Sequence, residues 1–402
     1  MKSKFPGYFK LSENDINKLW DNALFTFDAN ILLNFYRYSD ETREEFIKIL
    51  DKLKERIWIP HQSAQEFFDN RLSVISQQEK AYEDAISSID SMEKEFKNSR
   101  QHPFIPQKLL KKFSELSKEI CENLNSSKDF HNKRISEDDI LDKVESLFDN
   151  KVGNEFSEEE LKALFKEGEY RFANKIPPGF KDSNKKDDTE ANSKKFGDLI
   201  VWKQTINKSK ELKQAVILVT DDRKEDWWVR FKGKTISPRP ELIKEFKLET
   251  QESFYMYQSD RFLEFARDYL NEHIDQKVIE EIRELRRLDE RNRLSQLRKE
   301  KDILRYHEFK EAFIKERMML NEELKFLHDR KNHIENSLNE HYLLIDNGEF
   351  DVLDEQKIRK FKQEQMIIEK QIENLIQKGN ELKEREIEIQ FRNKTLHNTR
   401  YS

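Results

Sequence analysis

The residues that interrupt regular secondary structure are confined to one part of this chain. All eight prolines (Pro6, Pro60, Pro103, Pro106, Pro177, Pro178, Pro238 and Pro240) and six of the eight glycines precede residue 241. The remaining 160 or so residues, to position 402, contain no proline and two glycines. Proline removes a backbone donor and clashes with the preceding helical turn, and glycine carries an entropic cost in a helix. A stretch of this length without them can run as long helices. The five tryptophans, Trp20, Trp58, Trp202, Trp227 and Trp228, fall in the first part. This asymmetry predicts a globular domain over residues 1–255 and a helical extension over 256–402, with the boundary in the 250–275 region. Charged residues make up 38% of the chain, a proportion that by itself points toward disorder, but 29 Phe, 11 Tyr and 5 Trp are too much aromatic surface for a solvated tail.

The extension carries its own periodicity. Phe313, Leu320, Leu327 and Ile334 recur every seven residues, with Leu324, Leu338 and Ile345 on the alternate seam and Arg317 and Lys331 interrupting it. After Asp346-Asn347-Gly348-Glu349, the returning segment places Phe361, Ile368, Leu375, Leu382 and Ile389 at the same spacing, with Ile358 and Ile372 alternating. Heptads of this kind pack as coiled coils. The intervening turn predicts an antiparallel hairpin, preceded by one helix from about 260. Pairing with a partner or a second copy is the alternative.

In the first part, short apolar runs alternate with helical patterns. Ala23–Phe27, Arg56–Pro60 and Ala215–Val219 read as buried strands, and two of them end on acids, Asp28 and Asp221-Asp222. A further strand or loop is read at Thr235–Ser237. Helices are read over 11–22 (with Ser12 as cap), 40–55, from His61 to about 98, from Gly197, and from about Asp260. Residues 75–172 read as a helical insertion over the sheet, and residues 173–196 as loop. The alternation predicts an α/β three-layer sandwich with a mostly parallel central sheet. Ligands of such sheets bind beyond the carboxyl ends of the strands, where Asp28, Asp221 and Asp222 lie.

A net charge of −6 excludes a chain that binds polyanions over its whole surface, so any nucleic-acid contact has to be local. Cys121, the single cysteine, excludes internal disulfides and cysteine-based zinc sites. With no apolar signal core and no long apolar run, the expectation is a soluble cytoplasmic protein without membrane partners. No Walker loop, glycine-rich dinucleotide loop or nucleophile elbow is present. His61 is read as a helix-start residue. Asp28, Glu66, Asp198 and a strand-end aspartate form the remaining constellation. Singly, each reads equally well as a helix cap or a solvated charge. Jointly, they offer the oxygen ligands that one or two Mg²⁺ or Mn²⁺ ions require. Such ions activate water and stabilise charge during phosphodiester hydrolysis.

Three strings carry a closer likeness: Phe27-Asp28-Ala29-Asn30-Ile31-Leu32-Leu33 with Gln65-Glu66-Phe67; Ile176-Pro177-Pro178-Gly179-Phe180-Lys181-Asp182 with Gly197-Asp198-Leu199-Ile200-Val201-Trp202-Lys203-Gln204; and Val219-Thr220-Asp221-Asp222-Arg223-Lys224-Glu225-Asp226-Trp227-Trp228. Over residues 20–250 they resemble PIN-domain nucleases, specifically the bacterial PIN-like subfamily formerly treated as a domain of unknown function. The resemblance implies catalytic, metal-binding acids at Asp28, Glu66 and Asp198. The fourth is Asp222, with adjacent Asp221 kept as the alternative ligand, and Asp182 in the subfamily loop is either a further ligand, a substrate contact or a turn residue. Asn30, Arg71, Lys181, Lys194, Lys195, Arg223 and Lys224 are candidate substrate contacts, and Trp227 or Trp228 stacks a base or belongs to the core. The implied activity is a metal-dependent endonuclease on single-stranded nucleic acid, RNA ahead of DNA. A second reading is a coiled-coil scaffold whose domain binds without cutting. A third has the coiled coil gate the nuclease, in a toxin or phage-defence role.

Overall fold

A computed structural model describes residues 1, 4–98, 105–183, 194–348 and 351–398, with side chains except at 194, 352 and 388–398. The Lys194 side chain, residues 184–193 of the polar loop, Glu349 and the Ile389 side chain lie outside the described residues. The chain runs α1 (Glu13–Asn22), β1 (Leu24–Phe27), α2 (Ala29–Leu33), α3 (Asp40–Lys52), β2 (Ile57–Trp58), α4 (His61–Lys97), α5 (Gln107–Lys133), α6 (Asp139–Phe148), α7 (Glu158–Ala173), α8 (Gly197–Leu212), β3 (Val216–Val219), β4 (Trp228–Phe231), β5 (Lys234–Pro238), α9 (Pro240–Thr250), β6 (Phe254–Tyr257), α10 (Ser259–Leu270), α11 (Gln276–Asp346) and α12 (Val352–Asn398).

Four strands form a parallel sheet in the order β2-β1-β3-β6. Successive side chains of a strand point to opposite faces, and here both faces are apolar. Phe25, Phe27, Ile217, Val219 and Tyr257 join one core with residues of α2, α3, α6 and α10. Leu24, Val216, Leu218, Phe254 and Met256 join a second core with residues of α8 and α9. Helices cover both faces, which makes the three-layer α/β arrangement and explains why the strands read as continuous apolar runs. The sequence pattern missed β6 and α9, and also β4, which pairs antiparallel with β5 in a separate ribbon. The insertion is not a free-standing addition: Ile140, Val144, Leu147 and Phe148 of α6 lie in the first core and Leu164 of α7 in the second.

Two compact units divide the chain, Met1–Asp289 and Glu290–Ser402. The first extends beyond residue 255 because Phe262, Leu263, Ala266, Ile274, Val278, Ile279 and Ile282 complete the first core. The helix expected from about 260 to 345 is interrupted: α10 ends at Asn271, which takes a left-handed conformation (φ 52°), and α11 restarts after Asp275, whose carboxylate accepts the Lys277 N–H at 2.9 Å. In the second unit α11 and α12 pack as an antiparallel hairpin. Leu327, Ile334 and Leu338 meet Ile358, Ile368 and Ile372, and Phe313 and Leu320 meet Leu382. The interruptions at Arg317 and Lys331 have a use: each reaches an acid of α12, Glu386 at 3.8 Å and Glu369 at 2.8 Å. Ile345 departs from the expected seam and is exposed. Among the described residues no helix is long and apolar enough to cross a membrane.

Candidate active site

The parallel sheet brings the ends of β1 and β3 side by side, because Phe27 pairs with Val219. Asp28 follows Phe27 and caps α2, its carboxylate accepting the Ala29 N–H at 2.8 Å. Thr220 follows Val219, and its hydroxyl donates to Asp28 Oδ2 at 2.7 Å while accepting the Asp222 N–H at 3.0 Å. One buried threonine thus ties the first acid to the last. Asn30 donates to Asp28 Oδ2 and accepts the Asp221 N–H at 3.0 Å. Asn30, a candidate substrate contact by sequence, thus bridges the two strand ends.

Glu66 sits in the second turn of α4. The helix start is held by Gln204 of α8, whose Oε1 accepts the Gln62 N–H at 3.0 Å, and Gln62 Nε2 donates to Glu66 Oε1 at 2.8 Å. Glu66 lies directly against Gly197: a Cβ there would stand 2.6 Å from its Oε1. A side chain at position 197, beside Asp198 in the first turn of α8, would push that carboxylate aside.

Asp182 arrives from the Pro177-Pro178-Gly179 loop. Gly179 has a φ of 91°, a conformation that favours glycine. Asp226, fully buried, fixes the loop by accepting the N–H groups of Gly179 at 3.1 Å and Lys181 at 3.0 Å. Burial raises the Asp226 pKa. Asp226 had no role in the sequence reading; the signal for it was an acid set against the apolar Trp227-Trp228 pair.

The acids converge on Lys224. Its Nζ stands 2.8 Å from Asp182 Oδ2, 2.9 Å from Asp198 Oδ2 and 2.9 Å from Asp222 Oδ2. Burial pulls the Lys224 pKa down, but the charges of Asp198, Asp222 and Asp182 outweigh it and hold the ammonium well above its ordinary value. Asp28 is pushed up to about 7, first by burial and then by the charge of Glu66, against the Thr220 hydrogen bond. Asp198 is raised by burial and by its neighbours Asp222 and Asp182, with Lys224 opposing. Carboxylates this crowded favour a cation.

Asp221 belongs elsewhere. Its oxygens accept Ser259 N–H at 3.1 Å, Ser259 Oγ at 2.7 Å and Asn34 Nδ2 at 3.1 Å, and Arg286 Nε lies 3.0 Å away. Of the two adjacent aspartates, Asp222 shares the cation with Asp182 and Asp198, while Asp221 binds the start of α10 and Arg286 of α11. Several proposed substrate contacts are also engaged structurally. Arg71 pairs with Asp138, which caps α6 and also accepts the Tyr36 hydroxyl at 2.7 Å. Lys195 pairs with Glu169 at 2.6 Å, and Lys181 with Glu225 at 2.8 Å. Trp227 and Trp228 are both buried in the second core, and Trp228 Nε1 donates to the Asp222 carbonyl at 2.6 Å.

Among the described residues, no group of three or more His, Cys, Asp or Glu side chains is arranged to hold a metal ion as the structure stands. The donor chemistry nevertheless fits a hard divalent ion, since carboxylate oxygens from separate segments already surround one positive charge. Their spacing is that of an ammonium contact, where Mg²⁺ needs oxygens at about 2.0–2.1 Å. No curated protein and no solved structure matches the chain at a significant level. The profile of a family described as a PIN-like domain matches residues 24–242, more than half of the chain and the whole stretch from β1 into α9. The acid-bearing strand ends, the α8 start and the Asp182 loop all fall within it, and the chain belongs to the PIN-like domain family, part of a nuclease superfamily.

Proposed function

We propose that this protein is a Mg²⁺- or Mn²⁺-dependent endonuclease that hydrolyses phosphodiester bonds of single-stranded nucleic acid, RNA ahead of DNA. The observation that carries the reading is the convergence of the Asp182, Asp198 and Asp222 carboxylates on a single cation at 2.8–2.9 Å, beside Asp28 and Glu66. Family membership supports it. Asp28, Glu66, Asp198 and Asp222, with Asp182 from the loop, are the groups that would hold the metal. When bound, the ion supplies charge stabilisation at the phosphate and a water of lowered pKa. The chain's own residues do the positioning. Thr220 and Asn30 fix Asp28, Gln62 and Gln204 fix Glu66, and Asp226 fixes the loop that presents Asp182.

The test incubates the full chain with labelled single-stranded RNA and single-stranded DNA in Mn²⁺ or in EDTA, alongside Asp28→Asn and Asp198→Asn. Cleavage in Mn²⁺, lost in EDTA and in both variants, is the expected outcome. Cleavage that persists through chelation, or through both substitutions, defeats the assignment. Binding of RNA by the wild type with no cleavage under any divalent ion returns the scaffold reading.

A further inference from the structure

Lys224 is the one residue of this cluster that metal hydrolysis does not require. An ammonium has three N–H donors and no acceptor, and here three carboxylates, from the loop, from α8 and from the end of β3, take one contact each. The rest of the residue is anchored independently of its side chain. The Lys224 N–H donates to Asp222 Oδ1 at 2.8 Å, and the Lys224 carbonyl accepts the N–H groups of Trp227 and Trp228 at 3.2 Å. Asp222 thus uses Oδ1 to hold the turn and Oδ2 to hold the cation, and only the second contact depends on where Nζ lies. The lysine side chain is 18% exposed, so a route from the cluster to solvent exists along a flexible four-carbon stem.

Resting on the metal-dependent reading above, we propose that Lys224 is a built-in competitor of the metal: its ammonium occupies the ion's place among Asp182, Asp198 and Asp222 in the metal-free protein, and a divalent ion binds by expelling it. A divalent ion and an ammonium cannot share one set of oxygens, and Mg²⁺ draws its oxygens about 0.8 Å closer than the ammonium does. The exchange keeps the crowded acids from repelling one another before metal arrives. It also leaves a positive side chain at the mouth of the site, where a phosphate enters. Lys224 is thus a positioning residue for the apo site, and its removal separates metal affinity from fold.

Two measurements on the full chain test this. The first compares Mn²⁺ affinity of the wild type and Lys224→Met by calorimetric titration. The variant should bind at least about tenfold tighter, within the range by which residues supporting a metal site alter affinity, and should melt lower than the wild type in EDTA. The second needs no variant: an amine-acylating reagent is applied to the wild type with and without saturating Mn²⁺, and modified lysines are mapped by mass spectrometry. Lys224 should be protected in EDTA and labelled several-fold faster in Mn²⁺, with Lys195, paired to Glu169, unchanged. If Lys224→Met fails to fold, labelling decides. Unchanged or weaker Mn²⁺ binding by a folded variant, or labelling of Lys224 that does not rise with metal, overturns the proposal while leaving the metal-dependent reading intact. A wild type that takes up no Mn²⁺ at all brings down both.

Discussion

Two clusters of charge flank the end of β3, one on each of two adjacent aspartates, and they are balanced differently. Around Asp221, two arginines meet the acids of α10. Arg286 contacts Asp221 and Asp260, and Arg283 contacts Asp260 at 3.3 Å and Glu264 at 2.7 Å. Hydroxyl and amide donors from Ser259 and Asn34 complete the set. Around Asp222, one lysine faces three carboxylates, with Asp28 and Glu66 close enough for their charges to act on one another. A network in which two arginines are shared among Asp221, Asp260 and Glu264, with hydroxyl and amide donors besides, stabilises a fold. A network with surplus acids is costly in the absence of a further cation, and the fold keeps this one at the carboxyl edge of its sheet, where ligands of such sheets bind. Charge balance, more than acid count, separates the structural cluster from the candidate active site.

The largest effect sets the two clusters directly against each other. Asp222→Asn should lower cleavage by about 100-fold or more, the scale for losing one group that stabilises developing charge, whereas Asp221→Asn should leave cleavage per folded molecule near wild type. The comparison is broken if Asp221→Asn abolishes cleavage in a fully folded sample and Asp222→Asn does not. Asp221→Ala, read by chemical denaturation, should cost about 2–4 kcal/mol, since it leaves the donors of Ser259 and Asn34 without their acceptor and Arg286 with Asp260 alone; a loss no greater than that of an exposed acid would remove the structural role.

Next in size is a pH effect confined to the surplus-acid cluster. Asp28 titrates near 7 when folded, against an ordinary value of 3.8. Between those values the folded state holds a proton that the unfolded chain has released, so metal-free stability falls as pH rises through the window and levels off above it. Each tenfold difference in proton affinity between the folded and unfolded chain is worth about 1.4 kcal/mol, which puts the fall on the order of 2–4 kcal/mol. Urea melts in EDTA at pH 5 and pH 8 should show it. Asp28→Asn should reduce the fall, leaving the part that Asp198, raised in the same direction, contributes, and Mn²⁺ should offset the fall at pH 8. Stability that climbs over this range would contradict the arrangement. Smallest is Gly168→Ala, behind the acid cluster. Its new methyl would meet the Phe196 ring at 2.4 Å, and that ring is stacked at 5.1 Å on both Phe165 and Phe172, so it has little room to yield. A loss of about 1–3 kcal/mol is expected, the usual range for overpacking. A variant as stable as wild type would mean that the segment leading into Asp198 is looser than its packing indicates.

Much of this molecule was legible in one dimension. Apolar runs such as Phe25–Phe27 and Val216–Val219 announce strands buried on both faces, and the seven-residue spacing of Phe313 through Ile334 announces a packed helix pair. These signals are local, and local pattern reports them. β6 escaped because Phe254–Tyr257 is four aromatic and sulfur-bearing residues with no flanking breaker, and its strand identity comes from pairing with β3. The helix break at Asn271 escaped because its cause is tertiary: Ile274 has to reach the first core before α11 can start.

The sequence alone determined the kind of fold, the two helical additions and the set of acids at the strand and helix ends, because periodicity and residue chemistry follow from neighbours in the chain. The tertiary structure alone decided which acids act together. Asp221 and Asp222 are adjacent, yet Asp221 meets Ser259, 38 residues on, while Asp222 shares Lys224 with Asp198 and Asp182, which lie 26 and 42 residues before that lysine. It also decided that Arg71 belongs to Asp138, that Asn30 braces two strands, and that Lys224 stands among the carboxylates. A charged side chain is assigned by whichever opposite charge the fold brings within about 4 Å, and that distance is set by how segments pack, which spacing along a chain does not record.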